Sequence, residues 1–326
     1  MAGEGSTKAV VTALLANLAI GVSKFVAAAI TGSASMLAEG VHSVADSGNQ
    51  VLLLIGGRHA RQAPSALHQF GYARVRYLYA FLVAIVLFTL GGLYALYEGY
   101  HKVVDPHPLT SPLVAVAVLL VAAALEGYAL RTAVREANRT RGTRDWLQFV
   151  RRARSPELPV LLLEDSGALI GLTLALLGVG LSVLTGDGIY DGIASLCIGL
   201  LLGMIAILLA REITSLLIGE AALPEQVNKI HAAILGTPGV EQVIHLRTVH
   251  LGPDDLLVTA KIGVPSDAEA EDIAATIDGA EARIRHDLPI ARIIYLEPDI
   301  YRDDAALQPD RQVSSSADPN RRPRPS

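Results

Sequence analysis

The chain contains six stretches of apolar residues, each long enough to cross a bilayer as a helix. At about 1.5 Å of rise per residue, about 20 residues are enough to span the hydrocarbon core. The pattern therefore predicts an all-α membrane domain of six transmembrane helices within residues 1–218. The stretches lie near 8–30, 33–57, 76–100, 112–131, 158–184 and 188–210.

Residues 219–301 show the patterns of a soluble domain. Apolar residues repeat with a helical period over 223–235, and a second helix is predicted over 267–286. Two β-branched runs, 240–251 and 256–264, flank the turn-forming sequence Gly-Pro-Asp-Asp and so predict a hairpin.

A third strand is predicted at 291–296. The resulting order αββαβ is typical of a small ferredoxin-like α+β domain. The tail, 302–326, is rich in proline, serine and charge, and is predicted to be disordered.

Arginines are concentrated in two of the connections between the apolar stretches. Residues 58–76 contain four arginines and residues 131–154 contain eight, whereas the Thr31-Gly32 connection is uncharged. Because arginine in short flanking loops marks the cytoplasmic side, both basic connections and both termini are predicted to be cytoplasmic. The expected location is the cell membrane.

The composition agrees with a membrane protein. Apolar residues make up 51% of the chain and charged residues 18%, against roughly 25% charged in a soluble domain. The mean hydropathy is +0.41, which argues against one large soluble enzyme. The single cysteine, Cys197, excludes a disulfide framework and a cysteine-based metal site within one chain. The net charge of −5 gives no basic field for nucleic acid.

Two of the apolar stretches contain ionisable residues, which a membrane span normally excludes. Each costs roughly 2.5–3.5 kcal/mol at the centre of a helix, so their presence indicates function. Glu39, His42 and Asp46 share one face of the second span, and Glu164 and Asp165 are adjacent in the fifth. His42 and Asp46 are one turn apart, which lets both side chains bind one cation.

Together these two spans offer one nitrogen and three oxygen donors, from His42, Asp46, Glu164 and Asp165. That set suits zinc, and also manganese, iron or cobalt. Adjacent residues point about 100° apart around a helix, so which of the two fifth-span acids binds is open. The structural alternatives are an interhelical hydrogen bond for His42 and solvation of the acids near a helix end.

Other ionisable residues are assigned to ordinary roles. Lys24 in the first span is expected to extend its amine to the membrane surface. Glu126 in the fourth span is expected to be solvated, and His231, His250 and His286 to be surface residues.

From these residues the chain resembles the cation diffusion facilitator family of metal/proton antiporters over about residues 8 to 300. SASMLAEGVHSVADSGNQ, from Ser33, is similar to the metal motif of the family's second helix, and HQFGYARVRYLYAF, from His68, to the signature that begins its third. The resemblance implies a homodimer that transports a divalent cation, most often zinc, against protons. The metal is then a substrate, and no cofactor is expected.

The chain also departs from the family pattern. The fifth helix usually carries His-x-x-x-Asp, but here Glu164 stands at the histidine and Ala168 at the aspartate. Asp165, one turn before Ala168, is a candidate replacement, and the pair resembles a divergent branch. Some members of the family have a second zinc site in the loop between spans two and three. Of the residues that this site needs, only His68 is present here, so the site is expected to be absent.

In the cytosolic domain His245 stands at a matching metal position, and Glu297 is a further candidate. Tyr295 replaces a histidine. A metal site there is expected to be lost or weakened.

The predicted function is export of a divalent cation from the cytoplasm in exchange for protons, without enzymatic activity. The alternative is a membrane-anchored regulatory or scaffold protein whose transport site has decayed. An intramembrane hydrolase is disfavoured, because only Ser43 or Ser47 could act as a nucleophile beside the His42–Asp46 pair.

Overall fold

The computed structural model of the chain describes residues 3–142, 145–146, 149 and 153–300, so the predicted disordered tail, 302–326, lies outside the described residues. The membrane-type helices, in chain order, are α1 Gly3–Thr31, α2 Ala34–His59, α3 Val75–Val86, a π-helical segment Leu87–Leu93, α4 Tyr94–Val104, α5 Pro112–Arg141, α6 Glu157–Thr185 and α7 Ile189–Ile218.

Four long helices in the described part of the chain are apolar enough to cross a membrane. They are Val75–Val104, Pro112–Arg139, Glu157–Thr185 and Ile189–Ile218. These match the third to sixth predicted spans. The segment Asn17–Thr31 of α1 is apolar but shorter, and α2 carries the ionisable residues of the candidate site. The architecture is thus a helical membrane-type domain with four clearly apolar helices.

The third predicted span is not a uniform α-helix. It changes to a π-helix at Leu87–Leu93, a segment that contains Gly91 and Gly92. Gly91 lies beside α2, since a Cβ added there would be 3.7 Å from His42 Nδ1. Gly92 packs against the backbone of Gly203 on α7. The π-helical segment therefore brings the third span close to both α2 and α7.

The start of α2 is fixed by a carboxylate from α7. Ser33 is the N-cap residue of α2 and accepts a hydrogen bond from the backbone N–H of Met36. Asp191 accepts hydrogen bonds from Ser33 Oγ at 2.7 Å and from the backbone N–H of Ala34 at 2.6 Å, and Ser35 Oγ also donates to it. A buried anion thus meets the free N–H groups and the positive dipole of this helix end.

The C-terminal part of the chain forms the predicted αββαβ order. Its elements are α8 Pro224–Leu235, β1 Gln242–Gly252, β2 Asp255–Gly263, α9 Ala270–Asp287 and β3 Ile293–Asp299. The sheet order is β1-β2-β3, and alternate residues of β2 are buried, as the period of a half-buried strand requires.

The bounds of these elements differ from the prediction by at most a few residues. Grouping by spatial proximity divides the chain into two units, 1–223 with 248–257, and 224–247 with 258–326. The tip of the hairpin thus belongs to the first unit.

One histidine on the hairpin was assigned wrongly. His250 is 1% exposed rather than a surface residue, and its Nδ1 lies 3.3 Å from the carbonyl oxygen of Gly252. Burial lowers the pKa of His250 below its usual value. Leu251 and Gly252, the next two residues of β1, are buried as well, so the alternation of side chains between the faces of a strand does not account for the burial of His250.

Candidate metal site

His42 and Asp46 form the centre of the candidate site, on adjacent turns of α2. His42 is fully buried, and the Asp46 carboxylate is 15% exposed. His42 Nε2 lies 3.5 Å from Asp46 Oδ2. The i, i+4 spacing therefore places the two side chains close together, as was predicted.

Several polar atoms of α2 have no hydrogen-bond partner among the described residues. They include both ring nitrogens of His42, Oδ1 of Asp46 and Oε1 of Glu39. A buried polar group without a partner is costly. Borderline divalent cations bind to imidazole nitrogen and carboxylate oxygen. These unpartnered atoms are therefore suitable ligands for such a cation.

The two acids on α6 lie in different environments. Glu164 is buried, and its Oε1 accepts a hydrogen bond from Asn49 Nδ2 at 2.5 Å. This bond links α6 to α2 one turn beyond Asp46. Asp165 is half-buried. Of the two acids, Glu164 is thus the one directed at α2.

The predicted ligands do not form a finished coordination shell. In the part of the chain that the structure describes, no three His, Cys, Asp or Glu side chains are close enough together to hold one ion. His42 and Asp46 are paired on α2, and Glu164 is joined to the same helix through Asn49. The four predicted ligands are thus not gathered at one point among the described residues.

A fourth carboxylate lies near the site, on α5. Glu126 is half-buried and is close enough to repel the charges of Asp46, Glu164 and Asp165. Glu126 was expected to be solvated. The available signal was an acid in the middle of an apolar stretch, but nothing in the sequence indicates which face of α5 points inward.

Lys24 was also assigned wrongly, since its amine does not extend to the membrane surface. Its side chain is fully buried, and Nζ lies 3.1 Å from Oε2 of Glu39 and donates a hydrogen bond to Ser43 Oγ at 2.8 Å. The ammonium therefore neutralises a carboxylate on the turn of α2 before His42.

Comparison with known families agrees with this architecture. Residues 10–218 match the cation efflux transmembrane domain, and residues 222–299 match the cation efflux protein cytoplasmic domain. The chain belongs to the cation efflux family, which consists of membrane transporters rather than enzymes.

Three relatives carry names that refer to zinc antiport, metal tolerance or cation efflux. The mitochondrial proton-coupled zinc antiporter SLC30A9 of Homo sapiens is 33% identical over 251 residues, which cover 76% of this chain and 44% of the relative. Metal tolerance protein C4 of Arabidopsis thaliana is 30% identical, covering 79% and 57%. The cation-efflux pump FieF of Shigella flexneri is 26% identical, covering 79% and 84%. The chain thus matches less than half of the human relative's length.

Proposed function

We propose that this protein exports a divalent cation from the cytoplasm in exchange for protons, with zinc as the first candidate and manganese, iron and cobalt as the alternatives. The observation that carries the proposal is the buried His42–Asp46 pair, both of whose side chains have polar atoms without a hydrogen-bond partner among the described residues. Family membership and the zinc antiporter among the relatives support the same class of substrate.

Exchange follows from competition between metal and protons for the same atoms. A cation binds the neutral imidazole of His42 and the ionised carboxylates of Asp46 and Glu164, so binding releases protons. Because an imidazole titrates near neutral pH, His42 is the group best suited to carry a proton back. A proton gradient then favours release of the metal on the side where protons are abundant.

In this proposal the metal ligands are His42, Asp46, Glu164 and Asp165. The chain crosses the cell membrane six times, with α1 and α2 as the first two spans and both termini in the cytoplasm. It acts as a homodimer through residues 219–301. Alternating access results from movement of α2 relative to α6, each of which carries part of the site.

The experiment measures zinc uptake into liposomes that contain the purified protein and a zinc-sensitive dye, with and without a pH gradient. The parent protein is expected to take up zinc faster with the gradient and to release protons as zinc enters. Asp46→Asn is expected to abolish uptake, whereas the control Asp105→Asn, an exposed aspartate, retains it. Near-normal uptake by Asp46→Asn would remove His42 and Asp46 from the site.

One observation favours the alternative of a scaffold with a decayed site. Among the described residues no three His, Cys, Asp or Glu side chains come close enough together to bind one ion. One carboxylate oxygen of Glu164 already accepts a hydrogen bond from Asn49. A scaffold binds no zinc and releases no protons in the liposome experiment, so the same measurement separates the two functions.

A further inference from the structure

Glu39 on α2 has one carboxylate oxygen in an ion pair and one without a hydrogen-bond partner in the described part of the chain. Oε2 lies 3.1 Å from Lys24 Nζ, while Oε1 has no hydrogen-bond partner among the described residues. Both side chains are completely buried. A purely structural ion pair is stabilised when its remaining lone pairs are also satisfied, and here a carboxylate oxygen is left open.

The open oxygen points toward α6. A Cβ added to Gly171 would lie 2.5 Å from Glu39 Oε1, so a larger residue at this position would force the carboxylate to move. Glu39 therefore extends from the Lys24 ammonium on one side to the backbone of α6 on the other. It lies between the same two helices that carry His42, Asp46 and Glu164.

Position along the helices places Glu39 beyond the candidate site. Glu39 precedes His42 by one turn, in the direction of the start of α2 at Ala34. On α6, Gly171 follows Glu164 by two turns, about 10 Å at 1.5 Å per residue. The Asn49–Glu164 contact is thus at one level of the two helices, and the Glu39–Gly171 contact at another.

We propose that Glu39 is a second binding position for the transported divalent cation, between the His42 site and the end of the bundle at which α1 turns into α2. This inference rests on the proposed function, whose topology puts that end on the release side. Oε1 of Glu39 is the ligand atom, and the glycine at 171 keeps it accessible.

Lys24 lowers the affinity of this second position for the cation. The ammonium occupies Oε2, so that Glu39 presents one oxygen instead of two, and its positive charge repels a divalent cation at short range. Its second hydrogen bond, to Ser43 Oγ, holds the amine beside α2. A weak position one turn beyond a stronger one lets the cation leave, because conduction requires sites that ions can also vacate.

The test compares Lys24→Met and Lys24→Met/Glu39→Gln with the parent and with Ser23→Ala, a neighbouring exposed position. Zinc retained by the full-length protein in detergent, and zinc transport in liposomes, are measured for each. Lys24→Met is expected to retain one additional zinc per chain and to transport about tenfold more slowly, the effect of about 1.4 kcal/mol of tighter binding. The double variant is expected to lose the additional zinc.

Two milder variants test the proposal in case Lys24→Met does not fold. Gly171→Ala crowds Oε1 without changing any charge, and Glu39→Gln weakens the ligand while it keeps the shape. Both are expected to retain zinc at the His42 site but to transport severalfold more slowly. Transport at the parent rate by both variants, or equal zinc retention by Lys24→Met and the double variant, would overturn the proposal.

Failure of the proposed function gives a different result. If Asp46→Asn still binds and transports zinc, the His42 site is wrong, whatever Glu39 does. If Asp46→Asn is inactive while the Glu39 and Gly171 variants are normal, the main site stands and the second position does not.

Discussion

At the scale of residues, Glu164 and Asp165 illustrate how neighbours in sequence separate in structure. The buried Glu164 is hydrogen-bonded to Asn49 on α2, whereas Asp165 is half-buried and is repelled by the charge of Glu126. We therefore expect Glu164→Gln to abolish zinc transport and Asp165→Asn to raise the zinc concentration needed for half-maximal transport severalfold. Zinc uptake into liposomes at a series of zinc concentrations measures both values.

A matched control for these variants is Glu136→Gln, an acid on α5 that pairs with the exposed Arg139. It should transport like the parent. Abolition by Asp165→Asn with normal transport by Glu164→Gln would reverse the assignment, and normal transport by both would place the metal elsewhere.

His250 gives a prediction for the pH dependence of stability. Burial lowers its folded-state pKa below the usual value of about 6.5. The unfolded chain therefore binds a proton more readily, and the stability that neutral His250 provides is present above about pH 6.5 and is lost as the pH falls below it. We expect His250→Gln to have a melting temperature that falls less steeply than the parent's between about pH 7 and pH 5.

The comparison for that measurement is His286→Gln, at a histidine that is exposed on α9. Its melting temperature should follow the parent's slope. Identical slopes for the parent and His250→Gln would show that another group determines the pH dependence.

The sequence predicted the pairs that lie within one helix but not those between helices. His42 and Asp46 meet because i, i+4 spacing alone determines their proximity. The Lys24–Glu39 and Asn49–Glu164 contacts depend on how far each helix is rotated about its axis. That rotation is set by packing throughout the bundle, so an apolar stretch with one polar residue does not reveal the partner.

At the scale of elements, the start of α2 depends on Asp191 of α7. Its carboxylate accepts hydrogen bonds from Ser33, Ala34 and Ser35. An anion at a helix N-terminus contributes about 0.3–1 kcal/mol, and up to about 2 kcal/mol when partly buried. We expect Asp191→Asn to lower the melting temperature of the protein in detergent, and Asp191→Ala to lower it further, because the cap donors then lose their acceptor.

Asp105→Asn is the control, since that aspartate is exposed and lies outside the helices. It should melt at the parent temperature. If Asp191→Ala melts at the same temperature as Asp105→Asn, this contact does not stabilise the protein, and α2 is held in place by packing alone.

Whether a segment forms a helix or a strand was easier to predict than an irregularity inside that helix or strand. The hairpin follows from a turn sequence between two β-branched runs, and the structure places its strands within two residues of the prediction. The π-helical segment in the third span was missed, because an apolar stretch has no polar face on which a wider turn would show. Its two glycines were the only signal, and glycine is also common in ordinary membrane helices.

At the scale of the whole molecule, the C-terminal domain presents apolar and aromatic surface. β3 is an edge strand of a sheet of three, and Tyr295 on it is 59% exposed. About 80 residues bury a small core and form a marginally stable domain on their own. Pairing of two copies would cover such surface, which agrees with the match to the family's cytoplasmic domain over residues 222–299.

The same domain has charges that support its sheet without a metal. Lys261 on β2 lies 3.2 Å from Glu297 and 2.9 Å from Asp299 on β3, and hydrogen bonds to these two acids raise the pKa of Lys261. Glu297, a candidate metal ligand in the sequence, thus already has a cationic partner. Dimerisation is therefore expected to be independent of metal.

We predict that the full-length protein in detergent remains a dimer in the presence of a chelator, as measured by light scattering that is corrected for bound detergent. Tyr295→Lys is expected to increase the monomer fraction severalfold, because a charge replaces apolar surface at an interface, whereas Tyr295→Phe leaves the dimer intact. A parent protein that is monomeric in chelator and dimerises only when zinc is added would show instead that metal joins the two copies.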